Sequence, residues 1–283
     1  MKNIQILFAA VCLALFSFAA FAQTPELIKR TVTKTDRFDF GAGGTVAIAG
    51  APNGSVRVVG TNKNEIEITA QIELQAASEA DIATLAAVTS FLTDEQIGRT
   101  GIISFGTYNT LGDKKLWKKF PKNLMGLPMR IDYVISVPHY CDLEIDGGKG
   151  DLSVSGVEGS MRINFLETDA DLEVIGGTTN VTIGSGKVNV ALGVNGWRSR
   201  TANIKVAKGD LNVKLPSNMS AEIDAVILHT GAIENLLPGL KPRDRKVAFT
   251  DKSIIAKAGV GGTALKFTVG DGNLKMETLV PPA

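Results

Sequence analysis

The sequence predicts an all-β protein built as a stack of short coils, a β-solenoid. Three observations carry that reading: short runs alternate apolar and polar residues, the runs recur at a nearly regular spacing, and a glycine followed by aspartate or lysine recurs just before them. In GGTVAIAG (Gly43–Gly50), NGSVRVVG (Asn53–Gly60) and EIEITAQIEL (Glu65–Leu74) apolar residues stand at i and i+2 with a polar residue between. That pattern buries one face of a strand and wets the other.

From Asp142 onward the same pattern repeats. DLEI, DLSV, SMRI, DLEV, NVTI, KVNV, NIKV and DLNV begin at Asp142, Asp151, Ser160, Asp171, Asn180, Lys187, Asn203 and Asp210, so pairs of strands recur about every twenty residues. A four-residue strand leaves its apolar edge open when alone, whereas stacked copies share one core. Regular short strands also suit sandwiches and barrels. Like residues at like positions favour the stack, as in Gly150-Asp151, Gly186-Lys187, Gly209-Asp210 and Gly272-Asn273.

Residues 76–130 interrupt the repeat. Ser78-Glu79-Ala80-Asp81 reads as a helix cap, and Ile82, Leu85, Ala86 and Thr89 fall on one face of a short helix. A hairpin of Ser90–Gln96 with Gly101–Phe105 follows, then KKLWKKFPKNLMGLPMR (Lys114–Arg130), before strands resume at Ile131. The stretch is too short and polar for its own core, so it reads as an excursion or cap. The expected organisation is one domain over 23–283, with first strands at 40–75, the excursion at 76–130 and repetitive coils at 131–280.

The opening residues carry Lys2, an apolar run from Ile4 to Phe18 and Ala20-Phe21-Ala22, the pattern of a secretory signal ending at residue 22. The apolar neighbours of Cys12 lack the leucine expected before a lipid-modified cysteine. Removing residues 1–22 takes Lys2 and leaves a neutral chain, which offers no global field for nucleic acid. Cys141 is then the one remaining cysteine, so stability comes from burial and backbone pairing. No later span suits an integral membrane protein, and the expected location is the periplasm or the cell exterior.

RIDYVISVPHYCDLEIDGGKGDLSVSGVEGSMRI (Arg130–Ile163) and RTANIKVAKGDLNVKLPSNMSAEIDA (Arg200–Ala225) together resemble the bacterial putative-adhesin family of extracytoplasmic β-solenoids. The likeness lies in a strand ending in Val137-Pro138, Gly-Asp-Leu repeats, and Leu215-Pro216 closing a run of coils. It spans about Gly43 to Met276 and is weakest between Ala76 and Arg130. The resemblance implies a right-handed solenoid exported from a bacterial cell, and no chemistry. One coil departs from the pattern: Glu167-Thr168-Asp169-Ala170 stands where a glycine turn is expected before Asp171.

Several stretches carry residue types that chemistry could use. GGKGDLSV (Gly147–Val154) lacks the Ser/Thr that a P-loop places after its lysine, and it is one residue short of the calcium-binding GGxGxD, so it reads as a turn between strands. GVGGTA (Gly259–Ala264) matches a loose dinucleotide pattern without its βαβ setting. Glu167, Asp169 and Asp171 would share one face if extended, which is the basis for an alternative reading as a polysaccharide-acting enzyme. His139 and Cys141 stand two apart, but an inert thiol accounts for them, and His229 is too isolated for a metal site. Lys114, Lys115, Lys118 and Lys119 surround Trp117 and Phe120, a combination suited to an anionic surface or wall polymer, or else to a soluble cap over the end of the stack. No cofactor and no metal are implied. The favoured reading is a non-catalytic binding, adhesion or scaffolding surface in the envelope, its partner an envelope component, a glycan or an anionic surface.

Overall fold

The computed structural model describes residues 27–41, 43–108, 120–193 and 198–279. The segment read as a secretory signal lies outside them, as do Lys114, Lys115, Trp117, Lys118 and Lys119. The first part of the chain runs β1 (Ile28–Asp39), β2 (Thr45–Ala49), β3 (Val56–Thr61), β4 (Glu65–Ala76), α1 (Glu79–Val88), β5 (Ser90–Gln96), β6 (Arg99–Phe105) and β7 (Met129–Pro138). The repetitive part follows as β8 (Asp142–Lys149), β9 (Leu152–Ser155), β10 (Met161–Glu167), β11 (Ala170–Val174), β12 (Gly176–Ser185), β13 (Val188–Leu192), β14 (Arg198–Lys208) and β15 (Leu211–Leu215). The last part contains β16 (Ala221–Ile227), β17 (Ile233–Asn235), β18 (Lys241–Pro242), β19 (Ser253–Ala258), β20 (Thr263–Asp271) and β21 (Leu274–Thr278).

These strands form two mixed sheets. Sheet A has the order β1-β4-β7-β3-β9-β11-β13-β15-β21-β17, and sheet B the order β18-β19-β16-β20-β14-β12-β10-β8-β2-β6-β5. Neither closes into a barrel. From β8 to β15 successive strands alternate between the sheets, and each of β8 to β13 pairs in parallel with the strand two further on, while β14 and β15 pair with β20 and β21. Cross-strand partners lie 18 residues apart between β11 and β13, 23 apart between β13 and β15, and 63 apart between the coil ending in β15 and that of β21. The larger offset accommodates β16 to β19 as an insertion.

Period-2 alternation sends every second side chain into the space between the sheets. Ile48, Ile145, Ile163, Val181, Ile204 and Phe267 stack in one buried row from sheet B. Val58, Val154, Leu172, Val190, Val213 and Met276 form a facing row from sheet A. Each fully buried aliphatic or aromatic side chain contributes about 1.5–3 kcal/mol. One continuous hydrophobic cluster results, and it includes Ile82 and Leu85 of α1.

The helix and hairpin expected between residues 76 and 130 are present. Ser78 caps α1, its Oγ accepting from the Asp81 amide at 3.2 Å. The hairpin does not stand outside the sheets, however. β6 pairs in parallel with β2 and antiparallel with β5, so the excursion supplies two strands of sheet B. β1 was not foreseen; it pairs antiparallel with β4 along its whole length. β16 also pairs antiparallel with β19, although its sequence alternates like that of any coil strand. One end of the stack is blunted: its edge strands β17 and β18 are very short, and Pro242 lies on the edge, while the other end is formed by β1 and β5.

Candidate functional site

The corners of the stack explain the recurring glycine-aspartate pairs. After β8, β10, β12, β14 and β20 the chain turns through two residues from sheet B into sheet A, after β2 through six, and the turns lie above one another. Gly54, Gly150, Gly186, Gly209 and Gly272 occupy this place with positive φ. A Cβ on Gly150 would overlap the carbonyl oxygen of Gly54, and one on Gly209 that of Gly186. The aspartates step from coil to coil: Asp169 Oδ1 accepts the Lys187 amide at 2.8 Å and Asp210 Oδ1 the Asn273 amide at 2.9 Å. At the opposite corner Asp142 Oδ1 accepts the Ser160 amide at 2.7 Å. GGKGDLSV is therefore a corner, and GVGGTA is the turn between β19 and β20 with no helix after it.

The coil that departs from the glycine pattern keeps its register. Ala170 pairs with Leu152 on one side and Val188 on the other, which sets Asp169, not Asp171, in the place of Asp151. Thr168 replaces the corner glycine; it is buried, its amide donates to Ser185 at 2.8 Å, and its hydroxyl donates to the Asp169 carbonyl at 3.1 Å.

The three carboxylates singled out for catalysis are divided by this corner. Glu167 ends β10 in sheet B and pairs with Lys149 at 2.8 Å. Asp169 sits in the turn, committed to the Lys187 amide. Asp171 lies on the outer face of sheet A and accepts Asn189 Nδ2 at 2.8 Å. The extended geometry that would align them on one face is broken between Glu167 and Ala170.

His139 and Cys141 are also separated in role. The imidazole Nδ1 bonds the Gly156 carbonyl, while the thiol is buried. Burial, and then the neighbouring Asp142 carboxylate, push the Cys141 thiol up to about 12. A thiol so held is almost entirely protonated at pH 8 and is no nucleophile. Cys141 is expected to stay unmodified by a thiol-reactive dye at pH 8 in the native protein and to react at once in denaturant; fast, stoichiometric labelling of the native state would contradict this. His229 bonds Gly270 through its amide, and no cluster of three metal-ligating side chains occurs among the described residues.

Phe120, expected beside the lysines as a surface ring, is 7% exposed and belongs to the core, as does Leu124. An apolar side chain just before proline is used to anchor the chain as it returns toward β7, so its face is not open to a partner. No helix among the described residues is long and apolar enough to cross a membrane.

Sequence reading missed the outer face of sheet A. There Asp171, Asn189 and Asn212 form a ladder, with Asn212 Nδ2 donating to Asn189 Oδ1 at 3.0 Å. The parallel row two residues along reads Ser155, Glu173, Ala191 and Lys214. Between the rows lies a depression of about 400 Å³, lined also by Ser153. Glu173 is fixed by the Gly156 amide at 2.9 Å, and Lys214 reaches Glu277 at 3.7 Å.

No family model matches the chain, and no curated protein matches it. Among solved structures it is similar to a putative cell adhesion protein from Clostridium sporogenes, with a TM-score of 0.47 and 14% identity over 88% of this chain and 100% of that one. It is similar also to a putative adhesin from Bacteroides fragilis, with a TM-score of 0.34 and 11% identity over 88% and 97% of the two chains. A putative adhesin from Parabacteroides merdae gives a TM-score of 0.23 and 10% identity over 86% and 95%. Two of these structures are described as putative adhesins and one as a putative cell adhesion protein.

Proposed function

We propose that this chain is an exported, non-catalytic, right-handed β-solenoid of one domain that acts as a surface-binding module of the bacterial envelope. The alternation of strands between two sheets and the 18-residue parallel register from β8 to β13 support the solenoid reading. The observation that carries the binding reading is the outer face of sheet A, where stacking turns single polar residues into fixed rows bordering a depression. The engagement of Glu167, Asp169 and Asp171 in separate structural contacts supports a surface without catalysis. Lys114, Lys115, Lys118, Lys119 and Trp117 belong to this proposal as a cap over the end of the stack, a role supported by the burial of Phe120 directly after them.

The test is capture of fractionated cell envelope by the purified protein, with hydrolysis or lyase assays on the same glycans. Saturable capture without turnover is expected. Replacing Lys115, Lys118 and Lys119 by Gln is expected to leave capture intact; loss of capture in that variant, with salt-sensitive binding of the original protein, would move the contact to the lysine segment. Glycan turnover abolished by Asp169→Asn would establish the enzyme instead.

A further inference from the structure

We infer that the depression on the outer face of sheet A is a carbohydrate subsite, with one pyranose ring of a glycan seated over Ala191 between Glu173 and Lys214. This deepens the binding reading above and rests on it. β11, β13 and β15 are successive neighbours in sheet A, so Glu173 and Lys214 stand two strand spacings apart, about 9.6 Å between their backbones. Ala191 lies between them and leaves only a methyl group on the floor. The volume of about 400 Å³ falls in the range of small-ligand sites, about 300–1,000 Å³.

The lining selects the class of ligand. It contains hydroxyl, carboxamide, carboxylate and ammonium groups and no aromatic ring. The backbones of β9, β11, β13 and β15 are paired on both sides, so a peptide gains no main-chain pairing on this face. Recognition must come from side chains, and a ligand whose every ring substituent both donates and accepts hydrogen bonds uses them best. Each ladder bond consumes one N–H of Asn189 or Asn212 and leaves the second N–H available. The hydroxyls of Ser153 and Ser155 make no side-chain hydrogen bond among the described residues. Because the ladder and the Glu173 contact to Gly156 already fix these groups, little side-chain freedom is lost on binding. The glycan runs along the stack, from Ser153 and Ser155 on β9 to Asn212 and Lys214 on β15.

The experiment titrates the purified protein with cellopentaose, chitopentaose and pentagalacturonate by calorimetry, beside the envelope-capture assay. At least one oligosaccharide is expected to bind saturably. Ala191→Leu fills the depression at a solvent-facing strand position, so it is expected to weaken binding at least tenfold with an unchanged melting temperature. Asn212→Ala is expected to weaken it in the same direction. Binding that is unaffected by both variants overturns the subsite. Envelope capture without oligosaccharide binding also overturns it, while sparing the broader reading; failure of both assays overturns both.

Discussion

Gly209→Ala is expected to leave the protein unfolded or insoluble, with a loss of more than about 4 kcal/mol if any soluble fraction can be measured. Gly209 has φ 128°, a region that is essentially glycine's, where an L side chain is disfavoured by roughly 1–3 kcal/mol. That alone is survivable. The larger effect is steric, because the new Cβ would overlap the carbonyl oxygen of Gly186 in the coil beneath. The obstacle is backbone, so no rotamer relieves it. The coils must part, at the expense of the Gly186 amide bond to Lys208 at 3.0 Å and the Gly209 bond to Asp271 at 2.7 Å. Gly239→Ala supplies the control: its φ is 75°, yet nothing lies within 4 Å of its Cβ position, so a loss of about 1–2 kcal/mol is expected. Urea denaturation of both variants measures the difference. Equal, small losses would show that coil stacking does not constrain Gly209.

The coils were legible in sequence because alternation is a local signal of burial. Strand direction was not, since a period of two names the buried face and not the neighbour. Hence β19 alternates like a coil strand although it runs antiparallel to β16, which itself pairs in parallel with β20. The apparent irregularity before Asp171 came from aligning DLEV with DLSV by identity. The register instead sets Leu172 against Val154, two residues away from that alignment. Because two is the strand period, the inward residues were still correctly named, and only the corner was misplaced. Glu167, Asp169 and Asp171 form a carboxylate row only in a chain extended through this corner. The depression over Ala191 was hidden for a related reason. Ser153, Glu173, Ala191 and Lys214 come from four strands, and only the 18- and 23-residue offsets bring them together.

A second large effect is expected within the core, at the start of the GGKGDLSV corner. Gly147 pairs with Phe165 on the neighbouring strand, and Phe165 is buried. A Cβ on Gly147 would overlap the Phe165 ring, so the glycine is needed here for the space it leaves. Its φ lies outside the left-handed region, which makes the penalty purely one of packing. Phe165→Ala is expected to cost about 3–5 kcal/mol, because the ring fills volume that no neighbour can reach. Gly147→Ala is expected to cost about 1–3 kcal/mol by overpacking, as the ring is forced to tilt. The two effects should be coupled. In a Phe165→Leu background the shorter side chain vacates the overlap, so adding Gly147→Ala should cost close to nothing, giving a coupling energy equal to the penalty relieved, about 1–3 kcal/mol. Denaturation of the four proteins in that cycle measures it. If Gly147→Ala costs the same in both backgrounds, the ring is not what excludes a side chain at residue 147, and the stacked register of β8 and β10 is misassigned.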